Sequence, residues 1–257
     1  MAMNEGYVKT DIADGIATIT FHHPKSNSLP AAILAALARN IEEAGANKGV
    51  RVIVLRSDGE KAFCAGASFD ELMAIDSAAG GLRFFNGFAL VINAIRTVPC
   101  FVIGRVQGKA VGGGVGLAAA VDVCYAVQTA SVKLSELAIG IGPFVVGPAV
   151  ERKVGTGAFG YMSTKPADWQ TAEWAERKGL YAALFPSVEA LDAAVDKHAH
   201  DLSKQSPEAM ADLKRALWQG TEDWGRLLTE RAAVSGRLVL SDFTRSAIAE
   251  FKRKAAH

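Results

Sequence analysis

The sequence predicts an α/β fold whose last quarter is helical, and three observations carry that expectation. Residues 50–57 (VRVIVLRS) and 100–106 (CFVIGRV) are short, nearly continuous apolar runs, the pattern of strands buried on both faces. Each run is followed by a glycine-bearing loop and then a helical segment, at 50–75 and again at 100–120. That recurrence predicts stacked β/α turns feeding one pocket. From Val188 onward the apolar residues recur only at helical spacing.

Taken in order, residues 5–22 predict a hairpin. Tyr7, Val8 and Ile12 lead to Asp14-Gly15, a pair that favours positive φ, and β-rich residues follow from Ile16 to Phe21. His22 to Asn27 is a loop. Pro30 opens a helix whose buried face is Ile33, Leu34, Leu37 and Ile41. Ser68 followed by Glu71 has the spacing of a capping box. Phe84, Phe88, Val91, Ile92, Ile95 and Val98 mark the buried face of a long helix that stops before Pro99. The glycine triplet Gly112, Gly113, Gly114 stands where a strand hands over to a very small apolar helix. Segments 154–162 and 169–178 read as helices, and 182–187 as a short extended piece. Four further helices follow, marked by Leu191/Val195/Leu202, Met210/Leu213/Leu217, Leu227/Leu228/Val234/Leu238 and Phe243/Ile248/Phe251. A soft boundary at 187 divides a core, 1–187, from a C-terminal helical region, 188–257.

Composition narrows the function classes. Half of the 257 residues are apolar and the net charge is +1, with the basic residues spread out. Nothing there points to a nucleic-acid surface or an acidic partner. Cys64, Cys100 and Cys124 lack metal-like spacing and read as reduced thiols, which predicts a cytoplasmic protein. No apolar run approaches the ~18–20 residues a membrane helix needs, and the histidines form neither a Ser-His-Asp set nor a metal site.

The candidate chemistry lies in the glycine loops. Two backbone N–H groups from separate loops can converge on one acyl oxygen, each contributing about 3 kcal/mol of transition-state stabilisation. A polarised thioester carbonyl gives up its α-proton as an enolate if a base is at hand. Glu136, flanked by Leu134, Leu137, Ala138 and Ile139, is the candidate, because apolar surroundings raise a carboxyl pKa toward neutrality.

Taken together, Lys61 to Ala67 (KAFCAGA), Gly112 to Gly114, Asp122, and Ser135-Glu136 followed by LAIGI resemble the crotonase family, the enoyl-CoA hydratase/isomerase superfamily. The resemblance covers essentially the whole chain. It implies a crotonase-like spiral of stacked ββα units, a C-terminal helical trimerisation region, and a homotrimer or dimer of trimers. It also implies a substrate carried as a coenzyme A thioester, with no permanently bound cofactor and no metal. By position, Ala67 and Gly113 would supply the two oxyanion amides and Glu136 the acid. Lys25, Lys61 and Ala65 would lie along the adenine and phosphate path of CoA, joined by Lys252 or Lys254. Phe84, Phe88 and Phe144 would shape an apolar acyl pocket.

One departure bears on the reaction. Hydratases of this family place a second Glu two residues after the triplet, where this chain has Gly116. A single acid followed by a Pro-Phe element (Pro143-Phe144) resembles the Δ3,Δ2-enoyl-CoA isomerase branch. The expectation is therefore double-bond migration. A hydratase or dehydratase of short or branched enoyl-CoA, of the methylglutaconyl-CoA type, is the alternative, and a non-catalytic CoA-binding oligomer is the alternative of another class.

Overall fold

The computed structural model describes residues 6–255, the side chains of 251, 252, 254 and 255 excepted. The N-terminal hairpin forms as the sequence predicts: β1 (Tyr7–Ala13) pairs antiparallel with β2 (Ile16–His22). The turn residues Asp14 and Gly15 both take positive φ, 50° and 77°, which matches the right-handed twist of the flanking strands. Helix α1 (Ala31–Ala46) follows, then β3 (Val52–Ser57), β4 (Ala62–Cys64), α2 (Phe69–Ala74) and α3 (Ala78–Thr97). Next come β5 (Phe101–Val106), β6 (Lys109–Val111), α4 (Gly113–Ala120), β7 (Val123–Val127) and β8 (Ser131–Lys133). A 3-10 turn (Glu136–Ile139) leads to α5 (Gly147–Thr164), β9 (Gln170–Thr171), α6 (Ala172–Arg177) and β10 (Ala183–Phe185). The chain ends in α7 (Val188–Ser203), α8 (Pro207–Leu217), α9 (Trp224–Leu238) and α10 (Asp242–Ala255).

The strands fall into two sheets. The larger has the order β1-β2-β3-β5-β7-β10, parallel from β2 onward, and the smaller has the order β4-β6-β8-β9. Each of the pairs β3/β4, β5/β6 and β7/β8 gives its first strand to the large sheet and its second to the small one. The chain thus winds in stacked ββα turns, the spiral the resemblance implies. Because β3 and β5 are covered on both faces, their residues are apolar almost without alternation.

Three local readings change. The Ser68 hydroxyl caps α2 by accepting from the Glu71 N–H, but Glu71 does not complete the capping box. Its carboxylate accepts from the Ala31 N–H at the start of α1, so it ties two helix N-termini together. The helix expected over 169–178 forms only from Ala172, because Gln170 and Thr171 pair with β8. Helix α3 has the length and apolarity of a membrane span, which the run-length criterion missed because glycines and an arginine interrupt it. Its apolar face lies against α1 and α9.

The helices after Ser187 lie on their own chain's core. Helix α7 covers the large sheet, with Asp192 accepting two hydrogen bonds from the buried Arg105. Helix α9 runs along α3, where Gly81 and Gly236 meet so closely that a Cβ on either would strike the other's backbone. Helix α10 lies over the 3-10 turn and α2. Helix α8 is anchored by an ion pair: the Lys214 ammonium is 3.0 Å from Asp122 Oδ2, and both side chains are at most 4% exposed. Lys214 also donates to the carbonyls of Ile95 and Cys100. Asp122 accepts from the Val102 N–H and from the Trp218 indole at 2.7 Å.

A buried pair broken on one side leaves an uncompensated charge, at a cost of about 3–5 kcal/mol. Lys214→Ala is therefore expected to lower the unfolding free energy by roughly that amount in urea titrations. A loss under about 1 kcal/mol would show that Asp122 is satisfied by its other donors alone.

Candidate active site

Three successive strands of the small sheet run parallel, and the loops at their C-terminal ends meet in one cavity. Strand β4 leads through Gly66 to Ala67, β6 leads through Gly112 to Gly113, and β8 leads to Glu136. Ala67, Gly113 and Glu136 all line a cavity of about 50 Å³. The loops are pinned to each other. The Gly112 N–H donates to the Lys133 carbonyl at 2.8 Å, and a Cβ at Gly66 would stand 2.8 Å from the Val111 oxygen and 3.4 Å from the Gly113 nitrogen. Gly113 is the first residue of α4, so its N–H has no acceptor within the helix. The small residues of α4, all buried, let the helix N-terminus come this close to the neighbouring loops.

Glu136 is the titratable group of this cavity. Its carboxyl rests over Gly112, where φ is +52° and an added Cβ would lie 2.9 Å from Glu136 Oε1. A side chain at 112 is thus excluded twice, by backbone conformation and by the carboxyl. Glu136 Oε2 is buried without a hydrogen-bond partner. Desolvation pushes the carboxyl pKa up from the ordinary 4.5 to about 7, with a backbone hydrogen bond acting in the opposite direction. The apolar surroundings do not come from the residues adjacent in sequence, since Leu137 and Ala138 are exposed. They come from Phe85 and Phe88 on α3 and from Phe144, Val145 and Val146 in the loop before α5. Two glycine loops and a desolvated carboxyl lining one space are the parts needed to polarise a carbonyl and move a proton beside it.

The comparisons with known proteins bear on this arrangement. The family model for enoyl-CoA hydratase/isomerase matches residues 11–250. The chain belongs to the enoyl-CoA hydratase/isomerase family. It is 31% identical to the bacillaene synthase dehydratase PksH of Bacillus subtilis, over 82% of this chain and 80% of that one. It is 32% identical to the mitochondrial methylglutaconyl-CoA hydratase of Rattus norvegicus, over 76% of this chain and 63% of that one. Among solved structures, an enoyl-CoA hydratase from Mycobacterium avium superposes with a TM-score of 0.85 at 26% identity, covering 99% of this chain and 98% of that one. An enoyl-CoA hydratase from Bacillus halodurans has the same fold, with a TM-score of 0.88 at 21% identity over 95% and 99% of the two chains.

The family positions are met unevenly. Phe88 and Phe144 line the cavity as expected, but Phe84 does not. It is buried behind, edge-on to Phe85 and Phe88, and Phe85 takes its place at the wall. Both phenylalanines fit the periodicity of α3, so spacing alone could not choose between them. Lys25 is exposed and paired with Asp70, and Lys61 lines a separate surface cleft with His22, His23 and Asp58. The Ala65 N–H donates to the Ser26 carbonyl, which ties that cleft to the β4 loop. The side chains of Lys252 and Lys254 lie outside the described residues. Ser235, on α9, also lines the Glu136 cavity, and no motif in the sequence marks it.

Gly116, where the resemblance implies a second acid in hydratases, packs against Val146. A Cβ there would stand 2.4 Å from Val146 Cγ1. An acid at 116 would need Val146 to move, so restoring that residue alone does not rebuild a two-acid site.

The raised pKa of Glu136 has a sign that can be checked. The folded state holds this proton more tightly than the unfolded chain. Its contribution to stability is therefore complete below about pH 4.5 and is lost as pH rises through about 7. Glu136→Gln removes the ionisation. The variant is expected to match the wild type in thermal stability near pH 4 and to exceed it near pH 8, by up to about 3 kcal/mol. Parallel pH–stability curves would show that the carboxyl is solvated.

Proposed function

We propose that this chain moves a double bond in an enoyl-CoA thioester, from the 3,4 to the 2,3 position, with Glu136 as the only acid-base group. The observation that carries the reading is that Glu136 is the one carboxylate among the residues lining its cavity, while position 116 is a glycine pressed against Val146. In this scheme ionised Glu136 takes a proton from C2, and the electron pair delocalises onto the thioester oxygen. The N–H groups of Ala67 and Gly113 hold the resulting dienolate oxygen. Protonated Glu136 then returns the proton to C4 as the C2–C3 double bond forms. No water is consumed, so one carboxyl suffices. A pKa near 7 keeps both of its forms accessible at neutral pH. The phenyl rings of Phe85, Phe88 and Phe144 keep water from the dienolate. In this reading Lys61, which lines the cleft beside the β4 loop, and the exposed Lys25 would meet the CoA phosphates.

Hydration of a 2-enoyl thioester is the second reading, and the names of the relatives favour it: a methylglutaconyl-CoA hydratase and a dehydratase. It requires a water held beside Glu136 without a second carboxylate.

The two are separated by assaying purified protein on 3-enoyl-CoA and on 2-enoyl-CoA, in wild type and Glu136→Gln. The isomerase reading expects fast migration and slow hydration, with migration falling roughly 10²- to 10⁴-fold in the variant. The wild-type kcat/KM should rise through about pH 7 and level off above it, because the ionised form is the base. Rapid hydration with negligible migration would establish the second reading. Equal activity of the two proteins would remove Glu136 from the chemistry.

A further inference from the structure

The cavity at Glu136 is small for an acyl substrate. It measures about 50 Å³, against roughly 300–1,000 Å³ for pockets that enclose a whole ligand. A second cavity, of about 300 Å³, lies directly behind one wall of the first. Gly142, Pro143 and Phe144 line both spaces, so a single stretch of chain separates them. The Phe144 ring folds back onto Gly142, where an added Cβ would lie 2.6 Å from its Cε2. Phe144 is half-buried and, unlike the buried Val145 and Val146 beside it, is not locked into the core.

The far chamber is mainly apolar, walled by Leu137, Phe144, Pro148 and Phe159. Glu151 also faces it, its carboxylate accepting from the Thr156 hydroxyl at 2.6 Å. The exposed Arg231 stands at the same chamber, which therefore carries one charge of each sign. The Ser163 hydroxyl is buried in the chamber wall without a partner, so filling this corner sacrifices no protein hydrogen bond.

We propose that the far chamber receives the distal part of the acyl chain and that Phe144 is the residue that sets chain length. The substrate class is then thioesters with mainly apolar chains of medium length. Their first carbons occupy the Glu136 cavity, and their tail passes the displaced Phe144 ring. This rests on the reading of Glu136 as the acid of an acyl-CoA enzyme, but its test needs no turnover.

The experiment is calorimetric binding of saturated acyl-CoAs, from butyryl through dodecanoyl, to wild type, Ser163→Phe and Thr164→Trp. The two substitutions fill the chamber from different positions, the second at the exposed end of α5, and a thermal melt confirms that each variant is folded. In the wild type, affinity is expected to tighten by up to about fourfold per added CH₂ beyond butyryl, as buried methylenes dictate. Both fillings should abolish that gain while leaving butyryl-CoA binding unchanged. A wild-type affinity that is flat beyond butyryl, or long-chain affinities unchanged in a folded filling variant, would overturn the chamber. Chain-length-dependent binding together with no double-bond migration would keep the chamber and reject the isomerase. Failure to bind any acyl-CoA would reject both.

Discussion

A carboxyl group held in an apolar cavity with one oxygen unpartnered is the constraint on which the rest of this structure depends. Leaving such a group unpaired is costly, and it persists only where surrounding packing over-determines its place. Here the packing comes from four directions. Gly112 makes room beneath it, α3 supplies Phe85 and Phe88, the loop before α5 supplies Phe144 to Val146, and α9 supplies Ser235. The small sheet fixes the height of the loops relative to one another, because β4, β6 and β8 are hydrogen-bonded neighbours in parallel register. The C-terminal helices complete the enclosure from within the same chain. Helix α8 is held separately, by the Lys214–Asp122 pair buried beneath it.

Much of this was legible in the sequence. Apolar runs marked β3 and β5, the Asp14-Gly15 pair marked the hairpin turn, and the glycine triplet marked the approach of α4 to its neighbours. The family motifs carried Ala67, Gly113 and Glu136 to one place. The features that stayed hidden depended on contacts between distant segments. The source of Glu136 desolvation could not be read from its neighbours, since two of the four turned outward and the apolar cover came from α3 and residues 144–146. Phe84 and Phe85 are adjacent on a helix with a wide apolar face, and only the crossing of α3 with α9 decides which one reaches the cavity. Glu71 matched a local capping pattern, yet a nearby helix N-terminus offered its carboxylate a different donor.

The glycine triplet sharpens into three distinct roles. Gly112 seats the Glu136 carboxyl, Gly113 presents the first free amide of α4 and lies against Phe88, and Gly114 packs on the Cys64 carbonyl. Gly116 belongs to the same pattern. Its lack of a side chain lets Val146 approach α4, and Val146 in turn forms part of the apolar wall around Glu136. The close packing of Gly116 and the apolar cover over Glu136 thus share one residue, Val146.

The central claim, that one shielded carboxyl carries the proton, is tested most directly by single turnover of 3-enoyl-CoA in deuterated water, with the product read by mass spectrometry and proton magnetic resonance. Proton transfer by Glu136 alone yields a 2-enoyl thioester with no gain of water, in which C4 retains a measurable share of the hydrogen removed from C2. Complete deuteration at C4, or a hydroxyacyl product, would contradict it.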